Sequence, residues 1–225
     1  MKFPIKRIAT TTLAVLLSYS AYPVFAAPQK INRPVTVAQA KKFSDNLIIP
    51  GERVGPVTRK TTKQDLVKLF GASCLVDKSI SGPEGMGSFA ATQVNLGKER
   101  SFLVVWSDNT RTKPLDVRNL GSAWKTPEGI SVGTSLSELR KKLGNFQLAG
   151  LGWDFSGHIF LNTSRLSRYH GKLYLMVDAA PNAYENYPKD YQAVSGDGTF
   201  SSSNPHWKPL GIRLAEITVV LNPEE

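Results

Sequence analysis

The chain has one cysteine, Cys74, and only three histidines in 225 residues. A single cysteine excludes an intrachain disulfide, and with it the cysteine-dense scaffold of many small extracellular domains. Among apolar neighbours in "GASCLVD", Cys74 reads as a buried structural thiol. His158, His170 and His206 lack metal-ligand spacing, so no metal and no cofactor is expected, only solvated or locally hydrogen-bonded imidazoles. The motifs HExxH, CxxC, GxGxxG and GxxxxGK(S/T) are all missing, and the single GxSxG match, "GISVG" at Gly129–Gly133, lies inside a repeated helix-capping phrase. Without the first four no metalloenzyme, redox or nucleotide-binding signature remains, and no catalytic residue is named. Acidic residues are scarcer than basic ones, 18 against 28, giving a formal charge of +10. The basic residues are dispersed, and Lys41-Lys42 and Arg140-Lys141-Lys142 are the densest mature groups. With no zinc-finger spacing or RNA-recognition motif, nucleic acid is not an expected partner. An anionic surface component or another envelope protein is.

What is present begins with "MKFPIKRIATTTLAVLLSYSAYPVFA". Lys2, Lys6 and Arg7 form a positive n-region, Ile8 to Tyr22 is an uncharged apolar run, and Val24-Phe25-Ala26 supplies the small residues a signal peptidase reads. This pattern predicts a signal peptide over 1–26 and a periplasmic or secreted protein. The core "LAVLL" is short for a span of about 20 residues, so no transmembrane segment is expected in the mature chain. About 200 residues follow, enough to bury a core without staples. Residues 27–46 read as a polar leader and a helix carried by Val37, Ala40, Phe43 and Leu47.

Two phrases then repeat. In "TRKTTKQDLVKLFG" Thr61 or Thr62 caps a helix, Asp65 completes a box-like pattern, Leu66, Leu69 and Phe70 form a stripe, and Gly71 stops it. In "GISVGTSLSELRKKLG" Thr134 or Ser135 caps, Glu138 makes the better box, Leu136, Leu139 and Leu143 form the stripe, and Gly144 stops it. The second phrase also invites reading as an anion-binding loop. Ser135 and Glu138 can occupy its free N–H groups, which favours capping. Strands are expected at Ser101–Trp106, Leu115–Leu120, Gly171–Ala179 and Arg213–Asn222, with shorter ones in "FQLAGLGWDF" and "GHIFLN". "SGPEGMGSFAATQVNLGKER" reads as a turn-rich excursion ending in a shorter strand. The predicted class is α+β: two divergent repeats, 47–120 and 121–225, each a short helix packed on antiparallel strands.

Four stretches, "LIIPGERVGPVTRKTTKQDLVKLFGA", "SAWKTPEGISVGTSLSELRKKLG", "GLGWDF" and "SGDGTFSSSNP", resemble a set of uncharacterised secreted bacterial proteins over Leu47 to Leu221. That family carries no agreed activity, so the resemblance implies none. More distantly, each cap, stripe and terminal glycine is similar to the small repeat of β-lactamase inhibitory proteins and BamE-type envelope proteins. That likeness implies compact helix-and-sheet units that bind other proteins, and it transfers no binding residue.

The remaining candidate site is 179–211, which runs without clear periodicity and carries Tyr184, Tyr187, Tyr191, Phe200 and Trp207. Long irregular segments inside compact domains are often functional, and Tyr and Trp suit recognition surfaces. The competing expectation is that these aromatics fold back as satellite core. Trp124 and Gly152-Trp153-Asp154-Phe155 are expected in the core rather than in a site. Asp154, Asp178, Glu185, Asp190 and Asp197 are the carboxylates from which an acid–base pair would come. The expected function is an exported binding or interaction protein of the cell envelope. The alternatives are a carboxylate-dependent hydrolase of envelope glycans and a purely structural protein.

Overall fold

A computed structural model describes residues 45–82 and 87–223. The expected signal peptide 1–26 and most of the expected leader and first helix lie outside this range; the described end of that helix, Asp45 to Leu47, is not helical, and Leu47 bridges to Lys125 instead. The described chain opens with three two-residue strands, β1 Ile48–Ile49, β2 Arg53–Val54 and β3 Val57–Thr58, paired antiparallel. Ile48, Val54 and Val57 are fully buried. Ile48 N–H donates to the Lys125 carbonyl at 2.7 Å, tying this small sheet to the segment that leads into the second helix.

Helix α1, Lys63–Phe70, starts at Thr62. Its hydroxyl accepts from Asp65 N–H while the Asp65 carboxylate accepts from Thr62 N–H, so the box closes on both sides. Helix α2, Leu136–Leu143, starts at Ser135, whose hydroxyl accepts from Glu138 N–H at 3.3 Å. Here the expected ranking inverts. The longer Glu138 side chain takes Lys141 Nζ at 2.6 Å, one turn on, and only half of the box forms. Both helices have eight residues, too few to persist alone in water. Leu66 and Phe70 on α1, and Leu136, Leu139 and Leu143 on α2, are buried. Each fully buried leucine contributes about 1.5–3 kcal/mol, and this holds the helices on the sheet.

Four strands follow α1 as an antiparallel meander: β4 Leu75–Ser81, β5 Ser88–Val94, β6 Phe102–Trp106 and β7 Pro114–Arg118. After α2 come β8 Gln147–Ala149, β9 Ile159–Phe160 and β10 Leu173–Asp178. Two short helices, α3 Ala183–Asn186 and α4 Pro188–Ala193, then lead to β11 Thr199–Ser201 and β12 Arg213–Val220. The main sheet has the order β10-β12-β7-β6-β5-β4, and a smaller one the order β11-β8-β9. The two meet at β9 and β10 through a single bridge, His158 to Met176, and the Val177 N–H to Gly157 carbonyl bond at 2.9 Å. Outward from the β7–β12 junction the strands run β6, β5, β4 on one side and β10, β9, β8 on the other.

The class is α+β, as expected. Both helices and the first small sheet cover one face, where one core cluster joins residues from 48 to 221. Phe70 meets Phe102 edge-on at 5.7 Å, and Phe102 meets Trp124 at 5.3 Å. Trp106 Nε1 donates to Thr92 Oγ1 at 2.9 Å, and Thr92 Oγ1 donates to Asp77 Oδ1 at 3.0 Å. Asp77 also pairs with Lys63, so polar contacts run from β6 back to the start of α1. Cys74 is buried, free and part of this core.

Strand β4 was not expected. Its residues are largely exposed at the sheet edge, so "LVDKSIS" carries no alternation to betray it. Strand β5, expected to be short, matches β4 at seven residues. Segment 179–211 is not irregular either, since it holds α3, α4 and β11. Among the described residues no helix is long and apolar enough to cross a membrane.

Candidate functional site

The face of the sheet opposite the helices opens into a groove where β7, β12, β10 and the smaller sheet adjoin. Strand alternation fixes what it presents. On β10, Leu173, Leu175 and Val177 point into the core while Tyr174 and Met176 point out. On β12, Leu214, Ile217, Val219 and the following Leu221 are buried, leaving Glu216, Thr218 and Val220 outward. With His158 just before β9, Phe160 from β9 and Arg118 from β7, these side chains floor a cavity of about 980 Å³. The floor is aromatic where β9 meets β10. His158 lies 5.2 Å from the Phe160 ring and 5.8 Å from the Tyr174 ring.

The walls come from two turns. Segment 150–157 contributes Asp154 and Phe155, and segment 195–198 contributes Gly196 and Asp197. The turns are laced together: Gly150 N–H donates to the Gly198 carbonyl at 2.9 Å, Leu151 to Val194 at 2.9 Å, and Gly196 to Leu151 at 3.1 Å. Only glycine permits this approach, since a Cβ on Gly150 would fall 2.3 Å from the Gly196 carbonyl oxygen. Gly157 seats the first turn against β10. It has φ +66°, and a Cβ there would lie 2.0 Å from the Val177 carbonyl oxygen.

Phe155 is the outlier of the site. Its backbone is left-handed at φ +61°, costly for a bulky side chain, and it is 78 % exposed. The other non-glycine positive-φ residues are Asn119 and Asn182, which tolerate the conformation, and Arg111, whose carbonyl accepts from the first N–H of α1. The fold gains little burial from Phe155. Trp153, two residues earlier, is 63 % exposed. These two positions were expected in the core and are not there, whereas Trp124 is.

The electrostatics divide the groove. Asp116 is buried and accepts Arg118 Nε at 2.8 Å, with its second oxygen taken by Nη2. The hydrogen bond to Asp116 raises the Arg118 pKa, against the opposing effect of burial, and Asp116 and Glu216 add Coulombic attraction. The β7 end is therefore locally balanced, while Asp154 and Asp197 stand exposed at the wall end. Burial, with repulsion from His170, holds the His158 pKa below its ordinary value near 6.5. Among the described residues no group of three His, Cys, Asp or Glu gathers as a metal-ion site.

The aromatics singled out in the sequence separate. Tyr184 and Tyr191 meet edge-on at 5.4 Å and, with Trp153, line a second cavity of about 310 Å³ on the flank of the same wall. Burial, with the nearby Asp178 charge, raises the Tyr191 pKa. Tyr187 is exposed and lies outside both cavities. Phe200 and Trp207 pack together at 6.0 Å. Trp207 is buried, its indole N–H spent on the Ser201 carbonyl at 2.9 Å, and Phe200 is partly buried against the core. Both therefore behave as satellite core. Of the five carboxylates singled out in the sequence, only Asp154 and Asp197 line the groove, while Asp190 pairs with His206 Nδ1 at 2.8 Å. The sequence reading missed Tyr174, Met176, Phe160 and Glu216. The available signal was "LYLMVD", which is apolar at both parities of a strand with one open face.

No family model matches the sequence, and no curated protein matches it. Among solved structures, the chain is similar to the uncharacterized protein yfeY of Escherichia coli. That likeness has 11% sequence identity and a TM-score of 0.47, covering 76% of this chain and 97% of the other.

Proposed function

We propose that this is an exported binding protein of the bacterial cell envelope, built from two divergent repeats, and that the groove on the open sheet face receives its partner. The carrying observation is Phe155: a large ring held out at the groove rim on a left-handed backbone that the fold itself does not need. Strain of this kind persists where it serves a contact. The signal-like first 26 residues support export, and the likeness of both capped helices to protein-binding repeats supports binding. The groove's volume is at the upper end of the usual range for ligand sites, about 300–1,000 Å³.

The test is a photo-crosslinking amino acid in place of Phe155, compared with one in place of Val67, which is 38 % exposed on α1. Irradiated cells should yield an envelope adduct from position 155 and not from 67. The same adduct from both positions, or none from 155, would overturn the assignment of the groove. Asp154 and Asp197 on one groove support a second reading, carboxylate-dependent cleavage of envelope glycans. Its check is the release of reducing ends from cell-wall glycan, lost in Asp154→Asn.

A further inference from the structure

The groove opposes the chain in charge. Its lining holds Asp116, Asp154, Asp197 and Glu216 against one guanidinium, Arg118, whereas the whole chain carries +10. Asp116 is neutralised by Arg118, and Glu216 lies within the electrostatic reach of the same guanidinium. The unbalanced acids are Asp154 and Asp197, on the two laced turns beside the exposed ring of Phe155. Carboxylates next to an aromatic face favour a cation with an aliphatic stem, through charge and through the ring quadrupole. Away from these acids the floor is apolar and aromatic, with Phe160, Tyr174 and Met176. From β11 to β7 it crosses six strands, about 24 Å at roughly 4.8 Å per strand, the length of about seven extended residues.

Resting on the binding reading above, we propose that the groove seats an extended polypeptide segment of a partner protein, with a Lys or Arg side chain against Asp154 and Asp197. Apolar side chains of the same segment cover Phe160, Tyr174 and Met176. A free polyamine fits less well. It brings nothing to the apolar floor, and the positive field of the rest of the chain repels it with no compensating burial. The same field slows the approach of any cationic partner, so the local carboxylates confer selectivity more than speed.

The test uses the purified chain and two fluorescein-labelled seven-residue peptides, one alternating Lys with Leu and the other Glu with Leu. Anisotropy should show the Lys peptide binding about tenfold or more tightly than the Glu peptide, with the preference weakening as salt rises. In the double variant Asp154→Asn/Asp197→Asn the Lys peptide should lose about tenfold in affinity and its advantage over the Glu peptide. Glu138→Gln, on α2 at the covered face, should change nothing. Four outcomes overturn the proposal: equal binding of the two peptides, an unaffected double variant, displacement by spermidine as effective as by unlabelled Lys peptide, or no binding of either peptide at millimolar concentration. Crosslinking at position 155 separates the two claims. An envelope adduct there combined with indifference to peptide charge leaves the groove as a binding site and removes its cationic partner. Selective binding of the Lys peptide without an adduct does the reverse.

Discussion

The open face of the sheet has two halves, and they are built differently. Under β4 to β7 the strands are five to seven residues long and pair in continuous register apart from one bulge. On that face they carry a small core cluster of their own: Ala91, Leu103 and Val105 are buried, with Ile80, Phe89 and Leu115 packed against them. On the other side of β12 the strands shorten to two or three residues at β8 and β9, and pairing with β10 thins to one bridge. The chain saved from the strands goes into turns, and those turns rise as the walls of the groove. The regular half covers its strands with its own side chains and leaves a smaller hollow of about 390 Å³ beside Ile80, Phe89 and Val105. The interrupted one gives a concave surface with charged and aromatic side chains at its rim, and loops carried on a rigid scaffold are where recognition residues usually sit.

The comparison is most severely broken at the seam between the halves of the second region. Gly157→Ala places a methyl group on the Val177 carbonyl and forces alanine to φ +66°. Strain and overpacking together should cost about 4 kcal/mol, read as a lowered urea midpoint. Gly97→Ala, in the first half at φ +85° with open space around it, carries the backbone strain alone and should cost about 1 kcal/mol. Equal losses at the two positions would mean that the seam is not tightly packed.

The junction β7–β12, where the halves join, is sharpened by its ion pair. Arg118→Met leaves the Asp116 carboxylate buried without its partner and should cost about 3 kcal/mol by chemical denaturation. Adding Asp116→Leu should return most of that loss, because removing both charges also removes their desolvation penalty. A double variant no more stable than Arg118→Met would show that the pair is not what the junction depends on.

Much of this plan was legible in advance, and the reasons are physical. Helices α1 and α2 announced themselves because a short helix needs a cap, a stripe and a stop at fixed offsets, and "TTKQDLVKLFG" and "TSLSELRKKLG" supply all three. Strands β6, β7, β10 and β12 were readable because burial demands apolar β-formers. Strand β4 was not, since an edge strand is held by backbone bonds that leave little mark on side chains. The groove was illegible for a related reason. Tyr174 and Phe160 look like core until it is known that they line a groove, and Trp153 and Phe155 look like core because most tryptophans and phenylalanines are. Asp154 and Asp197 stand far apart in sequence and line one groove because two turns are tied through Gly150.

Acid should distinguish the halves as well. The folded state holds His158 below its ordinary pKa near 6.5 because its ring is partly buried, with His170 nearby. Between 6.5 and the lower folded value the unfolded chain therefore binds a proton that the folded chain does not. Stability contributed by this group is complete above pH 6.5 and falls as the pH drops below it, by at most about 1.4 kcal/mol per pH unit. Unfolding curves at pH 7 and pH 5.5 should differ less for His158→Phe than for the parent chain. The first half contributes little over this range, because its hydrogen bonds hold Asp77 and Asp108 below the usual aspartate value, and their losses come at more acid pH. A pH slope unchanged in His158→Phe would place the sensitivity elsewhere.

The smallest effect is the most telling, because its sign differs between stability and binding. Phe155 occupies the left-handed region, where asparagine is tolerated far better than a bulky ring, and its side chain is mostly in solvent. Phe155→Asn should therefore raise stability, by about 0.5–1 kcal/mol, as relief of backbone strain outweighs the little burial lost. Binding of the Lys peptide should weaken in the same variant, since the ring that completes the groove rim is gone. A gain in stability with a loss of binding is what a residue kept for recognition must give. A loss of stability would instead make Phe155 part of the packing, and the second half of the open face would then be no more specialised than the first.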